Sequence, residues 1–286
     1  MQRTLVMAIL SAAVAAWAAG CAGDFYPASY LNDLRVIAIG SDPVEAGPGE
    51  TVRLMPVRYL PPGETITSER WSFCPVSAGP SGGFACAVPQ CETAMTPGAD
   101  GAVTADPSAL ALACFEALGG AAPKAAGGAA PANLTVDFRY AVTSSAGLTR
   151  DTVLQYTLWL ARPPEPRNRN PVIAAVNVGE DFVRDGEVAM PVKAGDSRVV
   201  HVSVDPTTLD AYTDDTGAAR TEDPIVSYFT TAGRFDSDRS SGAESSVTWT
   251  AEKLEAGQDQ AAFYIVVRDG RGGLAVGGPY LVPIGR

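Results

Sequence analysis

Histidine is almost absent from this chain, which contains a single example, His201. Most zinc sites and most Ser–His or Cys–His catalytic groups need a histidine beside other functional residues, so the sequence offers little for either. Basic residues are also few: 21 lysines and arginines face 32 aspartates and glutamates, for a formal net charge of −11. Nucleic-acid binding needs a basic surface, and the composition therefore argues against a nucleic-acid partner.

Charge of either sign is scarce, at 19% of the chain, whereas glycine contributes 29 positions and proline 22. This balance disfavours long surface helices and favours β structure, which uses glycine and proline in its turns. Hydrophobic residues reach 46%, enough to build buried cores. A length of 286 residues is typical of about two domains. The composition therefore predicts an all-β protein of two domains.

The N-terminal segment has the features of a secretory leader. Leu5–Trp17 is apolar but shorter than the roughly 18 residues that a transmembrane helix requires. Ala18-Ala19-Gly20-Cys21 resembles the bacterial lipobox, whose cysteine thiolate accepts a diacylglyceryl group. We therefore predict a lipoprotein signal peptide at 1–20 and lipidation of Cys21. The alternative is an ordinary signal peptide, which would leave Cys21 as a free thiol.

The residues after the lipobox predict where the protein resides. An aspartate directly after the cysteine retains a lipoprotein at the inner membrane, and Ala22 therefore implies the outer membrane, on its periplasmic or cell-surface face. Residues 21–32 then form a short lipidated tether, so we expect the first domain to lie near the bilayer. The aromatic rings of Phe25, Tyr26 and Tyr30 either sit at the lipid headgroups or pack on the first domain.

Short strand patterns separated by Gly/Pro turns recur through the rest of the chain. Residues 33–162 form one unit, 163–170 form a Pro-rich linker, and 171–286 form a second unit. The two units open alike, at Arg35–Ala38 and Pro171–Ala174, and each has about seven strand patterns. We predict two tandem immunoglobulin-like β-sandwich domains. The extended, semi-rigid linker is expected to project the second domain.

Residues 74–132 interrupt the first unit as a Cys-rich insertion that contains a helical segment. Asp106-Pro107 is typical of a helix start, and the predicted helix, Ser108–Leu118, ends at Gly119. The predicted apolar face, expected to pack on the first domain, consists of Leu110, Cys114, Phe115 and Leu118.

Four cysteines remain once Cys21 is lipidated, an even number suited to disulfides in an oxidising compartment. They are Cys74, Cys86, Cys91 and Cys114. Three pairings are possible, and only a mild preference favours local pairing, Cys74 with Cys86 and Cys91 with Cys114. A zinc site of four cysteines is the alternative, but the spacing lacks the close cysteine pairs that zinc sites use.

Several pieces of the sequence resemble the tandem immunoglobulin-like outer-membrane lipoproteins of myxobacteria and related high-GC Gram-negative bacteria. They are Leu34–Ala38, Pro48–Glu50, Trp71–Cys74 and Val267–Gly273. Trp71 resembles the core tryptophan of strand C, although the inter-sheet disulfide between strands B and F is missing. The resemblance implies the fold and an address in the cell envelope, and it brings no catalytic signature.

No catalytic residue is predicted. Gly79–Gly83 satisfies the G-x-S-x-G string, but it lies in a Pro/Gly loop. His201 lies in an alternating strand of the other domain, where we expect it to face solvent or the domain edge. Asp236 and Asp238 are weak calcium candidates. Val247 stands where an EF-hand needs glutamate, and solvated loop charge is the favoured interpretation.

The predicted function is that of a non-enzymatic, lipid-anchored envelope protein acting as a structural or protein-binding module of the outer membrane. No cofactor is expected beyond the covalent lipid on Cys21. Two alternatives remain: a carbohydrate-binding surface module, which would need exposed coplanar aromatic rings, and an accessory subunit of a secretion or envelope complex, which would need an exposed apolar patch. The expected partners are the membrane, through the lipid, and either a protein or an envelope glycan.

Overall fold

The computed structural model describes residues 27–120, 131–214, 216–252, 254 and 258–285. The predicted signal peptide, Cys21, Phe25 and Tyr26 lie outside the described residues. Within those ranges, no helix is long and apolar enough to cross a membrane.

The first domain is a sandwich of two sheets. Its strands are β1 (Arg35–Asp42), β2 (Glu45–Ala46), β3 (Val52–Tyr59), β4 (Ile66–Cys74), β5 (Thr93–Met95), β6 (Val103–Ala105), β7 (Asn133–Ser144) and β8 (Thr149–Trp159). One sheet has the order β1-β3-β6 and the other β2-β8-β7-β4-β5. All pairs are antiparallel except β2 with β8. In immunoglobulin terms the sheets are A-B-E and A′-G-F-C-C′.

The second domain repeats this connectivity with additional short strands. Its strands are β9 (Ile173–Val178), β10 (Asp181–Phe182), β11 (Val192–Lys193), β12 (Ser197–Val204), β13 (Ala211–Thr213), β14 (Ala219–Thr221), β15 (Ile225–Thr230), β16 (Arg234–Phe235), β17 (Arg239–Ser241), β18 (Glu244–Thr250), β19 (Gln260–Arg268) and β20 (Leu274–Gly285). The sheet orders are β10-β9-β12-β18-β16 and β11-β20-β19-β15-β17, with β13-β14 as a separate hairpin. The prediction of two immunoglobulin-like sandwiches is confirmed.

Alternation along the strands fills each core. In β12, Val200, Val202 and Val204 point inward and are buried, while the residues between them are more exposed. Trp71 lies on strand C of the first domain, as expected, and is 2% exposed. The second domain places its large ring on strand E instead, where Trp249 packs edge-on against Phe263.

Two disulfides cross-link the insertion of the first domain. Cys74 is bonded to Cys86, and Cys91 to Cys114. The single α-helix of the described residues, α1 (Pro107–Ala117), carries Cys114 and is capped by the Asp106 carboxylate, which accepts hydrogen bonds from the next amides. The short disulfide-linked helical insertion is therefore confirmed.

The buried face of α1 differs partly from the prediction. Ala111, Cys114 and Phe115 are buried, and Leu110 packs beside them. Leu118, in contrast, is 40% exposed. The reason is that Leu118 follows the last helical turn as the C-cap, where the chain already leaves the domain surface.

The linker contacts both domains and does not project the second one away from the first. Asn170 donates its side-chain N–H to the Ser41 carbonyl at 2.8 Å and accepts from the Leu274 amide at 2.8 Å. Arg167 forms two hydrogen bonds of 2.8 Å with the Glu50 carboxylate. The expectation that the linker projects the second domain is therefore corrected, because polar side chains of the Pro-rich segment form hydrogen bonds with both domains.

The described end of the tether also differs from the expectation, because it docks on the second domain. The Leu31 amide donates to the Thr230 carbonyl at 2.8 Å, and the Thr230 amide donates to the Ser29 carbonyl at 2.9 Å. Leu31 is 1% exposed and is buried with Tyr59 of the first domain and Val266 of the second. The described end of the tether therefore lies at the junction of the two domains and contacts both of them.

Candidate functional site

An open groove of about 1,100 Å³ lies on the outer face of the C-F-G sheet of the first domain. Its floor comes from β4, β7 and β8, and one wall comes from the insertion. The side chains that line it include Arg70, Ser72, Phe84, Glu92, Met95, Arg139, Asp151, Val153 and Gln155. We call this surface the C-F-G groove.

Strand register places the floor residues in rows across the sheet. One row consists of Ser72, Arg139 and Val153. Within it, the Ser72 hydroxyl donates to the Glu92 carboxylate at 2.7 Å, and the Arg139 guanidinium lies 3.6 Å from the same group. Glu92 follows the second disulfide, so the ion pair also connects the floor to the wall.

The next row carries two charged side chains, Arg70 and Asp151. Arg70 and Asp151 flank Ala141 on either side of β7. Neither side chain forms a hydrogen bond or an ion pair with any residue in the described ranges. The groove therefore presents one free guanidinium and one free carboxylate next to apolar side chains such as Val153.

The wall of the groove is constrained by cross-links and by an unusual backbone conformation. Phe84 adopts φ +56°, and it is the only non-glycine residue with positive φ in the described part of the chain. For an aromatic residue this region is sterically disfavoured. Gly83, directly before Phe84, and Gly79, at the start of the same loop, also have positive φ, and the Cys74–Cys86 disulfide closes this loop. Phe84 therefore lines the groove from a cross-linked loop.

Below the floor lies a tightly packed core that keeps the sheet rigid. The rings of Trp71 and Tyr140 are 4.7 Å apart, and the Trp71 indole donates to the Gly101 carbonyl at 2.9 Å. The Tyr140 hydroxyl donates to Glu69 at 2.5 Å and accepts from Arg58 at 2.9 Å. Burial, followed by the Glu69 hydrogen bond, raises the pKa of Tyr140, so its hydroxyl stays protonated.

Aromatic rings are scarce on the groove surface itself. Trp71 and Tyr140 line it only from below, since they are 2% and 1% exposed. Phe84 is the remaining aromatic residue among those that line the groove. A pair of coplanar exposed rings, which the carbohydrate-binding alternative requires, is therefore not formed by the groove residues.

The structure brings together one constellation that the sequence analysis did not foresee. His201 contacts the Ser246 hydroxyl through Nδ1 at 2.9 Å and the Glu244 carboxylate through Nε2 at 2.8 Å. The three residues become neighbours because β12 and β18 pair in register, a contact that the alternation pattern of one strand does not reveal. As expected, His201 faces outward on its sheet.

This Ser–His–Glu contact lies on an open sheet surface. His201 and Glu244 are 38% and 64% exposed, and none of the three residues lines the C-F-G groove. Acyl transfer needs a cleft that positions substrate and donors aimed at the developing oxyanion. We therefore treat the contact as cross-strand pairing and assign no catalytic role to it.

The two weak calcium candidates do not converge. The Asp236 carboxylate accepts a hydrogen bond from the Thr248 amide at 2.9 Å, at the edge of one sheet. Asp238 instead lines a small cavity beside Arg239. Across the described residues, no group of three or more His, Cys, Asp or Glu side chains is placed to hold a metal ion.

Gly79–Gly83, the G-x-S-x-G string, forms a single 3-10 turn at Pro80–Gly82.

No protein-family model matches the chain, and no curated protein sequence matches it. Among solved structures, the chain is similar to the D00–D0 domain of intimin, with 8% identity and a TM-score of 0.25 over 89% of this chain and 99% of that one. It is also similar to fibronectin(III)-like modules of Clostridium thermocellum CbhA, with 9% identity and a TM-score of 0.24 over 86% and 94%. Dimeric latent PorU from Porphyromonas gingivalis gives 12% identity and a TM-score of 0.23 over 88% and 20%. With TM-scores this low, the assignment of the fold rests on the strand connectivity described above.

Proposed function

We propose that the protein is a lipid-anchored binding module of the cell envelope, and that its C-F-G groove binds a segment of a partner protein. The observation that carries the proposal is the groove itself: a large concavity on a rigid sheet, with one wall cross-linked by disulfides. Such a site needs no catalytic group, because recognition uses shape and unpaired polar groups.

The chemistry of the groove favours protein over glycan. Arginine, methionine and aromatic residues are enriched at protein interfaces, and the groove supplies Arg70, Met95 and Phe84. The free charges of Arg70 and Asp151 suit a partner that carries both signs. A glycan site would instead use stacked rings, which these lining residues do not provide.

The anchoring part of the proposal rests on the sequence. Lipidation of Cys21, with Ala22 after it, would hold the protein at the outer membrane. Mass spectrometry of the N-terminal peptide of the native protein tests this: an acylated Cys21 supports the anchor, and an unmodified peptide removes it.

Site-specific photo-cross-linking in cells tests the groove. A photo-reactive amino acid in place of Val153 is expected to form one discrete protein adduct, which Arg139→Glu weakens in the same chain. Val199 is the matched control, because it is a valine, 50% exposed, on the outer face of the other domain. Equal adduct yields at Val153 and Val199 would refute protein binding in the groove. An adduct yield at Val153 that Arg139→Glu leaves unchanged would refute it as well. Retention on envelope polysaccharide without adducts would favour the glycan alternative.

A second candidate, an accessory subunit of an envelope complex, is favoured by a separate observation. Phe182, Val188 and Met190 are 49%, 57% and 70% exposed on the second domain. The Met190 amide donates to the Asp181 carboxylate at 2.8 Å, which brings Met190 close to the strand that carries Phe182. Exposed apolar side chains that cluster are typical of association surfaces. A photo-reactive amino acid at Met190 that captures a protein, while Val153 does not, would make this candidate the better one.

A further inference from the structure

A second cavity, of about 280 Å³, lies where the tether meets the second domain. Its lining includes Ala28 and Ser29 from the tether and Ser227, Arg239 and Arg268 from three adjacent strands. The cavity lies on the outer sheet face of the second domain, beside the part of that face that the first domain covers. Val266, two residues before Arg268 on the same strand, is fully buried in the covered part.

Two arginines, Arg239 and Arg268, share this cavity. In the described part of the chain, neither Arg239 nor Arg268 donates a side-chain hydrogen bond or forms an ion pair. Eleven other arginines of the described residues do form ion pairs, as expected in a chain with an excess of acidic groups. Two unpaired guanidiniums in one cavity therefore need a different explanation.

The electrostatics of the cavity are unfavourable for the protein alone. Burial, and next to it the positive charge of Arg239, lowers the pKa of Arg268. Placing a half-buried guanidinium close to a like charge destabilises the folded chain unless an anion offsets both. The buried Ser227 hydroxyl, which lines the same cavity and opposes Arg239 in the strand register, adds a neutral donor.

We propose that Arg239, Arg268 and Ser227 form a binding site for a phosphate-type oxyanion. A guanidinium presents a planar fork of donors that matches phosphate oxygens, and two such forks with a hydroxyl can satisfy three oxygens. The lining also contains Asp238, an exposed carboxylate that pairs with neither arginine and that should weaken anion binding by repulsion.

The position of the cavity indicates where the phosphate comes from. Ala28 lies seven residues after Cys21, a reach of about 25 Å for an extended chain. If Cys21 is lipidated, the cavity is held close to the bilayer surface, where headgroup phosphates are concentrated. The lipid source therefore rests on the proposed anchoring, whereas the oxyanion site does not.

The test uses the full mature chain with Cys21→Ser, titrated with inorganic phosphate against chloride at matched ionic strength. Saturable binding is expected, weakened at least about tenfold by Arg268→Gln or by Arg239→Gln and strengthened several-fold by Asp238→Asn. Arg198→Gln is the matched control, since Arg198 lies on a strand of the other sheet and its guanidinium hydrogen-bonds to the carbonyl of the adjacent Ser197. Without phosphate, Arg268→Gln should melt no lower than the wild type, which separates loss of binding from loss of folding.

Binding to lipid vesicles distinguishes the two possible sources of the phosphate group. Binding to phosphatidylglycerol vesicles but not to phosphatidylcholine vesicles, with the same dependence on Arg239 and Arg268, assigns the site to lipid headgroups. Phosphate binding without vesicle binding assigns it to a soluble phosphorylated compound. No phosphate or vesicle binding, or binding that the two arginine variants leave unchanged, overturns the site. Failure of Cys21 lipidation would leave the phosphate titration unaffected.

Discussion

The outer face of the C-F-G sheet is accessible in one domain and covered in the other. In the first domain it is the open groove, and in the second it is closed by Leu31, Ile37 and Tyr59 around Val266. Because the two sheets share one connectivity, the fold does not explain the difference. The side chains that point outward do.

One row of three residues shows the contrast. Across strands C, F and G, the first domain has Ser72, Arg139 and Val153, and the second has Ser227, Val266 and Val276. Serine and valine occupy the outer positions in both rows. The strand F residue differs, an arginine in the open face and a valine in the closed one. A charged side chain keeps a face hydrated, whereas an apolar one gains about 25 cal/mol for each Å² removed from water.

The largest effect is expected from giving the covered face the strand F residue of the open face. Val266→Arg places a guanidinium without a partner into a closed contact, which should destabilise the native arrangement by at least about 3 kcal/mol or separate the domains. Limited proteolysis of the linker at 163–170, together with denaturant unfolding, measures both outcomes. The matched change, Arg139→Val, should alter the free energy of unfolding by less than about 1 kcal/mol. If Val266→Arg leaves protection and stability unchanged, the contact is not closed in solution.

A somewhat smaller effect, confined to the first domain, is expected from the disulfides. Replacing Cys91 and Cys114 with serine releases a loop of sequence separation 23 and should lower that domain's free energy of unfolding by about 3 kcal/mol. Hydrogen exchange followed by mass spectrometry reports each domain separately. Peptides from β9 to β20 should keep their protection, since the described part of the second domain contains no cysteine. Equal loss in both domains would contradict the separation.

Truncating the tether contact should have a more moderate effect. Leu31→Ala removes a side chain that is 1% exposed between the two domains, and loss of buried contacts of this kind destabilises by about 2 kcal/mol or more. Leu112→Ala is the matched control, because Leu112 is 58% exposed on α1. Thermal unfolding of both variants measures the difference. Equal melting temperatures would show that the tether does not help to join the domains.

The smallest effect concerns pH and has opposite signs for two glutamates. Burial raises the pKa of Glu222 in the second domain, with Asp269 adding repulsion. Wild-type stability relative to Glu222→Gln should therefore be greatest below the ordinary glutamate pKa of 4.5 and should fall as the pH rises through the raised value. The hydrogen bond from Arg167 lowers the pKa of Glu50, so stability relative to Glu50→Gln should be lost as the pH falls below 4.5.

Melting curves of the wild type and both variants between about pH 2 and about pH 7 check these signs, because the Glu50 effect lies below pH 4.5 and the Glu222 effect above it. The Glu222 and Glu50 differences should slope in opposite directions. A difference that is flat in pH for Glu222→Gln would show that its carboxyl titrates alike in the folded and unfolded chains.

Much of the architecture could be predicted from local patterns. Strand alternation and Gly/Pro turns indicated both sandwiches, and Asp106 with Pro107 indicated the start of α1. These features depend on neighbours in the chain, which the sequence displays directly. Even the closed face had a local signal, because Ala261–Val267 of β19 is an unbroken apolar run, typical of a strand buried on both sides.

The site depended on distant partners and could not be predicted in the same way. Arg70 and Asp151 lie 81 positions apart and meet only across β7, and Arg239 and Arg268 meet only across β15. The contact of His201 with Ser246 and Glu244 has the same origin. Strand order and register decide such neighbours, and both are set by which hydrophobic faces close together. Composition and periodicity thus specified two acidic, turn-rich sandwiches, whereas the pairing of strands and the docking of the domains decided which polar side chains share a cavity.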